Sequence, residues 1–326
     1  MRFLRLVKDH ANTLFTPTTS AEWIRQIDRI LYGHLVWVYD YAERTVQGFW
    51  GRSYVATGKL KDWKVFQLDQ QCYPLLELAE YLESHSLRPS QAQKWGKTID
   101  EILRVVSRQK APTHWIFQTN ETPGDDPISM HYHFSSNVLV WYTLQKLAPH
   151  TETLGLSTRI REWIDLVHRD TLDAFTTTYN GEPIFSYLCD LKGNVEIYHD
   201  ANDVPSVFAP EWSFCSSSDP RWLSLFKFAL SSENTKAYFP NGEYRGLGSV
   251  HTPDPWPLGD AQEMIFSRIR GDIEGFRLAK EKTLKKMQWD GGFAEANDPL
   301  TGKVTSKHWF SWPGSLIGST FIEHGF

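Results

Sequence analysis

Apolar positions along this chain recur mostly at intervals of three and four, the period of a helix with one buried face. Residues 20–46 show it best, with Trp23, Ile27, Ile30, Leu31, Leu35 and Val38 on one stripe. The same spacing predicts helices over 70–85, 92–109, 134–148, 157–177, 219–232, 259–272, 273–288 and 309–323. Ser90, Ser157 and the run Ser218-Asp219-Pro220 stand where N-caps belong, because a short side-chain oxygen accepts from the free amides of a first turn. Segments rich in Gly, Pro, Asp and Asn separate the helices, at 120–127, 191–205, 239–257 and 289–303. Only 184–198 alternates enough to predict a hairpin, turning at Lys192-Gly193-Asn194. No repeat, low-complexity tract or linker divides the chain, so residues 1–326 read as one domain of helical hairpins. Its long loops are expected to gather at one end, where a rigid scaffold carries its chemistry.

Composition narrows the classes. A 41% hydrophobic share over 326 residues supports a packed core rather than disorder. The net charge of −5 leaves no basic footprint for nucleic acid or anionic lipid. No stretch approaches the roughly 18 apolar residues a membrane span needs. Residues 1–15 lack a sustained apolar run before a small-residue cleavage site, so no signal peptide is read and the expected location is cytoplasmic. Cys72, Cys189 and Cys215 have no metal-like spacing. The aromatic share is 14%, with 14 Trp and 13 Tyr; that suits either a large aromatic core or a carbohydrate site, where sugar C–H faces stack on rings.

Most common catalytic signatures are absent. There is no P-loop, GxGxxG or GxSxG, and Arg245-Gly246-Leu247-Gly248-Ser249 lacks the strand–helix context of a phosphate loop. His131-x-His133, with His199 further on, is the nearest metal-like cluster, but no close carboxylate or cysteine completes a tetrahedral set. What remains is carboxylates in Gly/Pro-rich loops: Asp125-Asp126, Asp200 and Asp203, and Glu295 behind Gly291-Gly292-Phe293. Helix capping is the plain explanation for the aspartates. Glu295 is harder to dismiss, since it precedes the aromatic run His308-Trp309-Phe310-Ser311-Trp312. Hydrolysis of a glycosidic bond needs two carboxyls flanking it, one giving and one taking a proton.

These segments, in order, resemble glycoside hydrolase family 125. Asp125-Asp126 with Phe134-Ser135-Ser136-Asn137 is similar to the family's paired aspartates followed by a helix start. Tyr198-His199-Asp200-Ala201-Asn202-Asp203-Val204-Pro205-Ser206 resembles its D-(D/A)-N-x-P-S loop. Leu230-Ser231-Ser232-Glu233-Asn234, Gly246-Leu247-Gly248-Ser249-Val250-His251-Thr252 and Trp256-Pro257-Leu258 resemble the segments that follow. Glu295 stands 14 residues before Trp309-Phe310-Ser311-Trp312, the spacing from the family's catalytic glutamate to its W-F-x-W segment. Phe66-Gln67-Leu68-Asp69-Gln70-Gln71-Cys72-Tyr73-Pro74 resembles a fungal branch. The resemblance covers roughly residues 50–322.

It implies an all-α (α/α)6 six-hairpin toroid that removes terminal α-1,6-linked mannose with inversion, without metal or cofactor. The partner is then a mannose-containing oligosaccharide. One of Asp125 and Asp126 is implied as the general acid and Glu295 as the general base. The choice of acid leans to Asp125, because Asp126 precedes Pro127 and has the more restricted backbone. The pocket is implied to draw on His199, Asp200, Asn202, Asp203, Gly248, Ser249, His251, Thr252, Trp256, Trp309 and Trp312. One departure stands out. The family's W-L-R-D-S motif is matched only loosely by Trp50-Gly51-Arg52-Ser53, and about nine or ten helices are legible where six hairpins need about twelve. The toroid is therefore expected to be incomplete at its N-terminus. Two rival readings remain: another activity on the same scaffold, such as an α-glucosidase or a trehalase-like enzyme, and a degenerate carbohydrate-binding remnant.

Overall fold

A computed structural model describes residues 2–61 and 65–324. It is mainly helical, and the helical periodicity locates its long helices to within about three residues at each end, except the first, expected over 20–46. They are Pro17–Val36, Leu68–Leu82, Pro89–Arg108, Phe134–Leu147, Ile160–Phe175, Pro220–Ala229, Pro257–Ile269, Ile273–Lys285 and Ser311–His324. Four short helices carry too few turns to show a period: Arg2–Asp9, Ala11–Leu14, Thr151–Leu154 and Val204–Phe208. The first long helix ends early, unwinding into a π-turn at Trp37–Tyr41.

The expected caps fare unevenly. Asp219 caps Pro220–Ala229, its carboxylate accepting from Arg221 N at 2.9 Å. Ser90 lies inside a helix that already begins at Pro89. Ser157 does not cap: its hydroxyl and amide, with those of Thr158, all donate to Asp100. Four donors on one carboxylate hold Asp100 below its ordinary range despite the opposing effect of burial.

The chain packs as two compact units, the first comprising residues 1–122, 127–132 and 136–172, the second residues 123–126, 133–135 and 173–326. In the first, Pro17–Val36 packs on Leu68–Leu82, which packs in turn on Pro89–Arg108. Trp95, Ile99 and Ile102 are wholly buried there. The Asn137 amide pins the 111–119 segment, accepting from Phe117 N at 2.7 Å and donating to Phe117 O at 3.1 Å.

In the second unit, Pro257–Ile269 packs against both Ile273–Lys285 and Ser311–His324. Ala261, Met264, Ala279, Phe293, Ile317 and Phe321 fill the space between them. Asp260 is fully buried on the same helix and is met by Lys286 at 2.6 Å and Lys282 at 2.9 Å, so its charge is compensated where an isolated one would cost several kcal/mol. Short antiparallel ladders bracket the loops between helices. Leu188–Cys189 pairs with Val195–Glu196, the expected hairpin. Three further ladders escaped the pattern: Thr176–Tyr179 with Glu182–Phe185, Tyr238–Phe239 with Gly246–Leu247, and Ala296–Asn297 with Val304–Ser306. The last two position the loops that carry the candidate chemistry.

Candidate active site

The residues implied as acid, base and pocket lining all lie in the second unit, whereas His131 and the 50–53 and 66–74 segments lie in the first. The segment Gly246–Thr252 is the organising element. Its start pairs with Tyr238–Phe239. Gly248 is then strapped on both sides: its amide donates to Ala237 O at 2.7 Å, and its carbonyl accepts from Ala201 N at 3.0 Å. The Trp256 amide donates to Leu247 O at 3.0 Å, and its indole N–H to Thr252 O at 2.8 Å, closing 247–256 into a tight loop. Ser249 is fully buried, and its hydroxyl accepts from His251 N at 3.0 Å.

Two carboxylates from distant parts of the chain meet this loop at consecutive residues. His251 Nδ1 lies 3.2 Å from Asp126 Oδ1, and Thr252 Oγ1 donates to Glu295 Oε2 at 3.4 Å. Asp126 is half-buried, and desolvation pushes its carboxyl above the ordinary range; the nearby Asp125 charge adds to this and His251 opposes it. Asp125 is exposed, with a left-handed backbone at φ 65°, a region a short polar side chain tolerates best.

Glu295 is only 2% exposed. Its amide donates to Ser306 O and Lys307 O, at 3.2 and 3.0 Å. Ser306 Oγ donates to Oε2 at 2.6 Å, and Lys307 Nζ donates to Oε1 at 2.5 Å. Neither Ser306 nor Lys307 was singled out from the sequence. Their contact with Glu295 depends on the register of the 296–306 hairpin, which shifts between Ala296 and Asn297.

The loop from Tyr198 to Ser206 is placed differently. His199, Asp200, Asn202 and Asp203 are each at most 5% exposed, and the polar contacts they make are internal. His199 Nε2 lies 2.9 Å from Gln262 Oε1. Asp200 Oδ1 accepts from the Asn202 amide and side chain at 2.9 and 2.7 Å, and its Oδ2 from Tyr198 OH at 2.6 Å. Asp203 precedes the helix Val204–Phe208 but its carboxylate does not cap it. Instead Oδ1 lies 3.0 Å from His133 Nε2, and Oδ2 accepts from Asp200 N at 3.1 Å. The imidazole read as half of a metal-like pair is thus a buried carboxylate's neighbour. Burial, with the Asp203 charge beside it, pushes the Asp200 carboxyl up to about 6. Tyr198 OH also accepts from Val250 N at 3.3 Å, tying the buried loop to the residue before His251.

The tryptophans divide. Trp256 is 1% exposed and packs edge-on against Phe310, centroids 6.1 Å apart. Trp312 lies 5.2 Å beyond Phe310 and is 45% exposed. Trp309 is 71% exposed, its indole N–H donating to Asp290 at 2.6 Å. Trp309 and Trp312 offer ring faces to solvent, whereas Trp256 is an interior brace for the 247–256 loop.

Residues 116–322 match the family described as metal-independent α-mannosidase (GH125). A curated relative, the meiotically up-regulated gene 157 protein of Schizosaccharomyces pombe, is 23% identical over 210 residues, covering 62% of this chain and 40% of that protein. This chain therefore spans well under half the length of that relative. Among solved structures, a Streptococcus pneumoniae metal-independent α-mannosidase, in a non-productive complex with α-1,6-mannobiose, superposes with a TM-score of 0.73. The match has 20% identity and covers 93% of this chain and 82% of that one. A bacterial glucoamylase complexed with acarbose gives 0.65 at 16% identity, over 93% and 46%. At these identities the likeness speaks for the fold, the all-α (α/α)6 architecture of six-hairpin glycosidases. Among the described residues no helix is long and apolar enough to cross a membrane.

Proposed function

This chain belongs to the metal-independent α-mannosidases of glycoside hydrolase family 125, and on that footing we propose that it removes terminal α-1,6-linked mannose by an inverting acid–base mechanism. The observation that carries the reading is the meeting of Asp126 and Glu295 at consecutive residues, His251 and Thr252. Two carboxyls in unlike surroundings, bound to one short loop, are what opposite proton-transfer roles require.

The acid role is assigned to Asp126 rather than Asp125. A general acid must carry its proton at working pH, and desolvation raises Asp126 toward that condition. Its proton passes to the glycosidic oxygen as the bond to the anomeric carbon breaks. Glu295, held by Ser306, Lys307 and Thr252, takes a proton from a water attacking that carbon from the opposite face. An inverting pair leaves about 6.5–9.5 Å between carboxyls for that water. Trp309 and Trp312 supply exposed ring faces for the sugar chain, and the 198–206 loop supports the site from beneath. The substrate assignment draws on the α-1,6-mannobiose bound by the Streptococcus enzyme.

The test is hydrolysis of α-1,6-mannobiose by the purified chain, followed by proton NMR before the product mutarotates. β-Mannose should appear first, and Glu295→Gln should lower turnover by about 10²–10⁴-fold. Release of α-mannose first, or near-parental turnover in the folded variant, removes the mechanism. Preferential cleavage of α-glucosides would keep the chemistry and change the substrate.

A further inference from the structure

The hydrogen bonds around Glu295 are unequal, and the inequality selects one of its two oxygens. A carboxylate oxygen has about two acceptor sites. Oε2 receives two hydroxyl donors, Ser306 Oγ at 2.6 Å and Thr252 Oγ1 at 3.4 Å. Oε1 receives Lys307 Nζ at 2.5 Å, which leaves it one site. Lys307 approaches from the solvent side: its side chain is 57% exposed while that of Glu295 is 2% exposed. The ammonium also stands 5.5 Å over the Phe310 ring, which faces it with a negative π-surface.

The backbone of Lys307 carries the second clue. Its φ is +35°, a left-handed conformation that costs a residue with a Cβ of order 1–3 kcal/mol. That turn follows the strand Val304–Ser306 and brings two groups of one residue onto one glutamate, the carbonyl accepting from Glu295 N and the ammonium donating to Oε1. An exposed lysine with only a solvation role needs no such turn.

We infer that Lys307 is the positioning residue of the base, fixing Oε1 as the oxygen that takes the proton and aiming its remaining acceptor site at the attacking water. The inference deepens the assignment of Glu295 and rests on it. In the step it describes, a water oxygen lone pair forms the new bond to the anomeric carbon as a water O–H bond breaks and its proton joins Oε1. The glycosidic C–O bond breaks, its electron pair leaving on the oxygen that takes the Asp126 proton, and the ammonium keeps its protons throughout.

Two substitutions separate positioning from structure. Lys307→Met removes the charged donor, and Lys307→Gly removes it while relieving the left-handed backbone. With α-1,6-mannobiose as substrate, both should lower kcat by roughly 10- to 100-fold with KM little changed, the scale of a catalytic group misplaced by about 1 Å. Lys307→Gly should do so without loss of thermal stability, and Lys307→Arg should restore much of the rate. Parental kcat in both variants, or a kcat loss that tracks a fall in melting temperature, overturns the role. Glu295→Gln is measured in parallel. If the parent is active and that variant is not, a silent Lys307 overturns only this inference. An inactive parent, or an active Glu295→Gln, overturns the reading of the site and this inference with it.

Discussion

Gly248→Ala is a one-carbon test of whether the 246–252 loop couples the proposed acid and base. A Cβ on Gly248 would stand 1.9 Å from Asp254 O, 2.8 Å from Asp254 C and 2.9 Å from Phe239 Cε2. Real contacts of this kind keep at least 3.0 Å, so backbone has to part by roughly 1 Å. Neither side yields easily. Gly248 is fastened by hydrogen bonds to Ala237 and Ala201, and Gly248 pairs directly with Pro255 across the loop. Overpacking of a tight site costs about 1–3 kcal/mol, so a lower melting temperature is expected. The larger effect should fall on turnover. His251 and Thr252 follow Gly248 by three and four residues, and a displacement near 1 Å at a catalytic group costs on the order of 10²-fold. The assay pairs thermal melting with kcat on α-1,6-mannobiose. Gly193→Ala serves as control: its Cβ meets nothing within 4 Å but its φ of +97° strains the backbone. That variant should lose stability without losing turnover. If Gly248→Ala keeps both parental stability and parental turnover, the loop yields freely and the coupling through His251 and Thr252 is refuted.

Asp126, if it is the acid, works while protonated, so activity is lost as pH rises through its upward-shifted pKa. Because His251 opposes that upward shift, His251→Ala should move the alkaline limb of kcat/KM to higher pH, and an unmoved limb excludes Asp126. Asp126→Asn should cost about 10²–10⁴-fold on mannobiose and far less on an aryl mannoside whose leaving group needs no proton. Burial and the Asp203 charge push the Asp200 carboxyl up to about 6, above the value of about 3.9 for an unfolded aspartate, so the native state binds the proton more tightly. Stability from this group is therefore present below about pH 4 and lost as pH rises toward about 6. Urea melts across that window should flatten in Asp200→Asn; an unchanged slope assigns the pH dependence elsewhere.

The helices were legible because each long one repeats its apolar stripe over several turns, as Ile27, Leu31 and Leu35 do on Pro17–Val36. The short ladders were not. Two paired residues, as at Tyr238–Phe239, are too few for a period of two to show. Thr176–Tyr179 follows Ile160–Phe175 without a break, so the end of the helix passed for more helix. The carboxylates were found by chemistry and by motif order, and Asp126 and Glu295 do converge on one loop. Lys307 and Ser306 were out of reach, since only a folded hairpin brings them back onto a residue 11 or 12 positions earlier. Asp200, Asn202 and Asp203 illustrate the opposite difficulty. A polar loop rich in Asp and Asn looks the same in sequence whether it faces a sugar or its own backbone.

That buried loop still bears on the chemistry through Tyr198. Its hydroxyl donates to Asp200 Oδ2 and accepts from Val250 N, so a carboxyl inside the unit holds the backbone just ahead of His251 and Thr252. Asp200 is itself fixed by Asn202 and by Asp203, and Asp203 by His133. Buried groups with this many partners have one geometry available, and a loop fastened to them inherits it. The proposed acid and base lie at different depths: Asp126 touches His251 where both side chains remain about one-third exposed, while Glu295 lies beneath Lys307. The two proposed proton-transfer groups thus have unlike access to solvent, the acid partly open and the base buried under a half-exposed lysine. On the proposed mechanism the buried Asp200 and Asp203 act through the backbone they hold. Through Tyr198 they fix the loop to which the proposed acid and the proposed base are both bound.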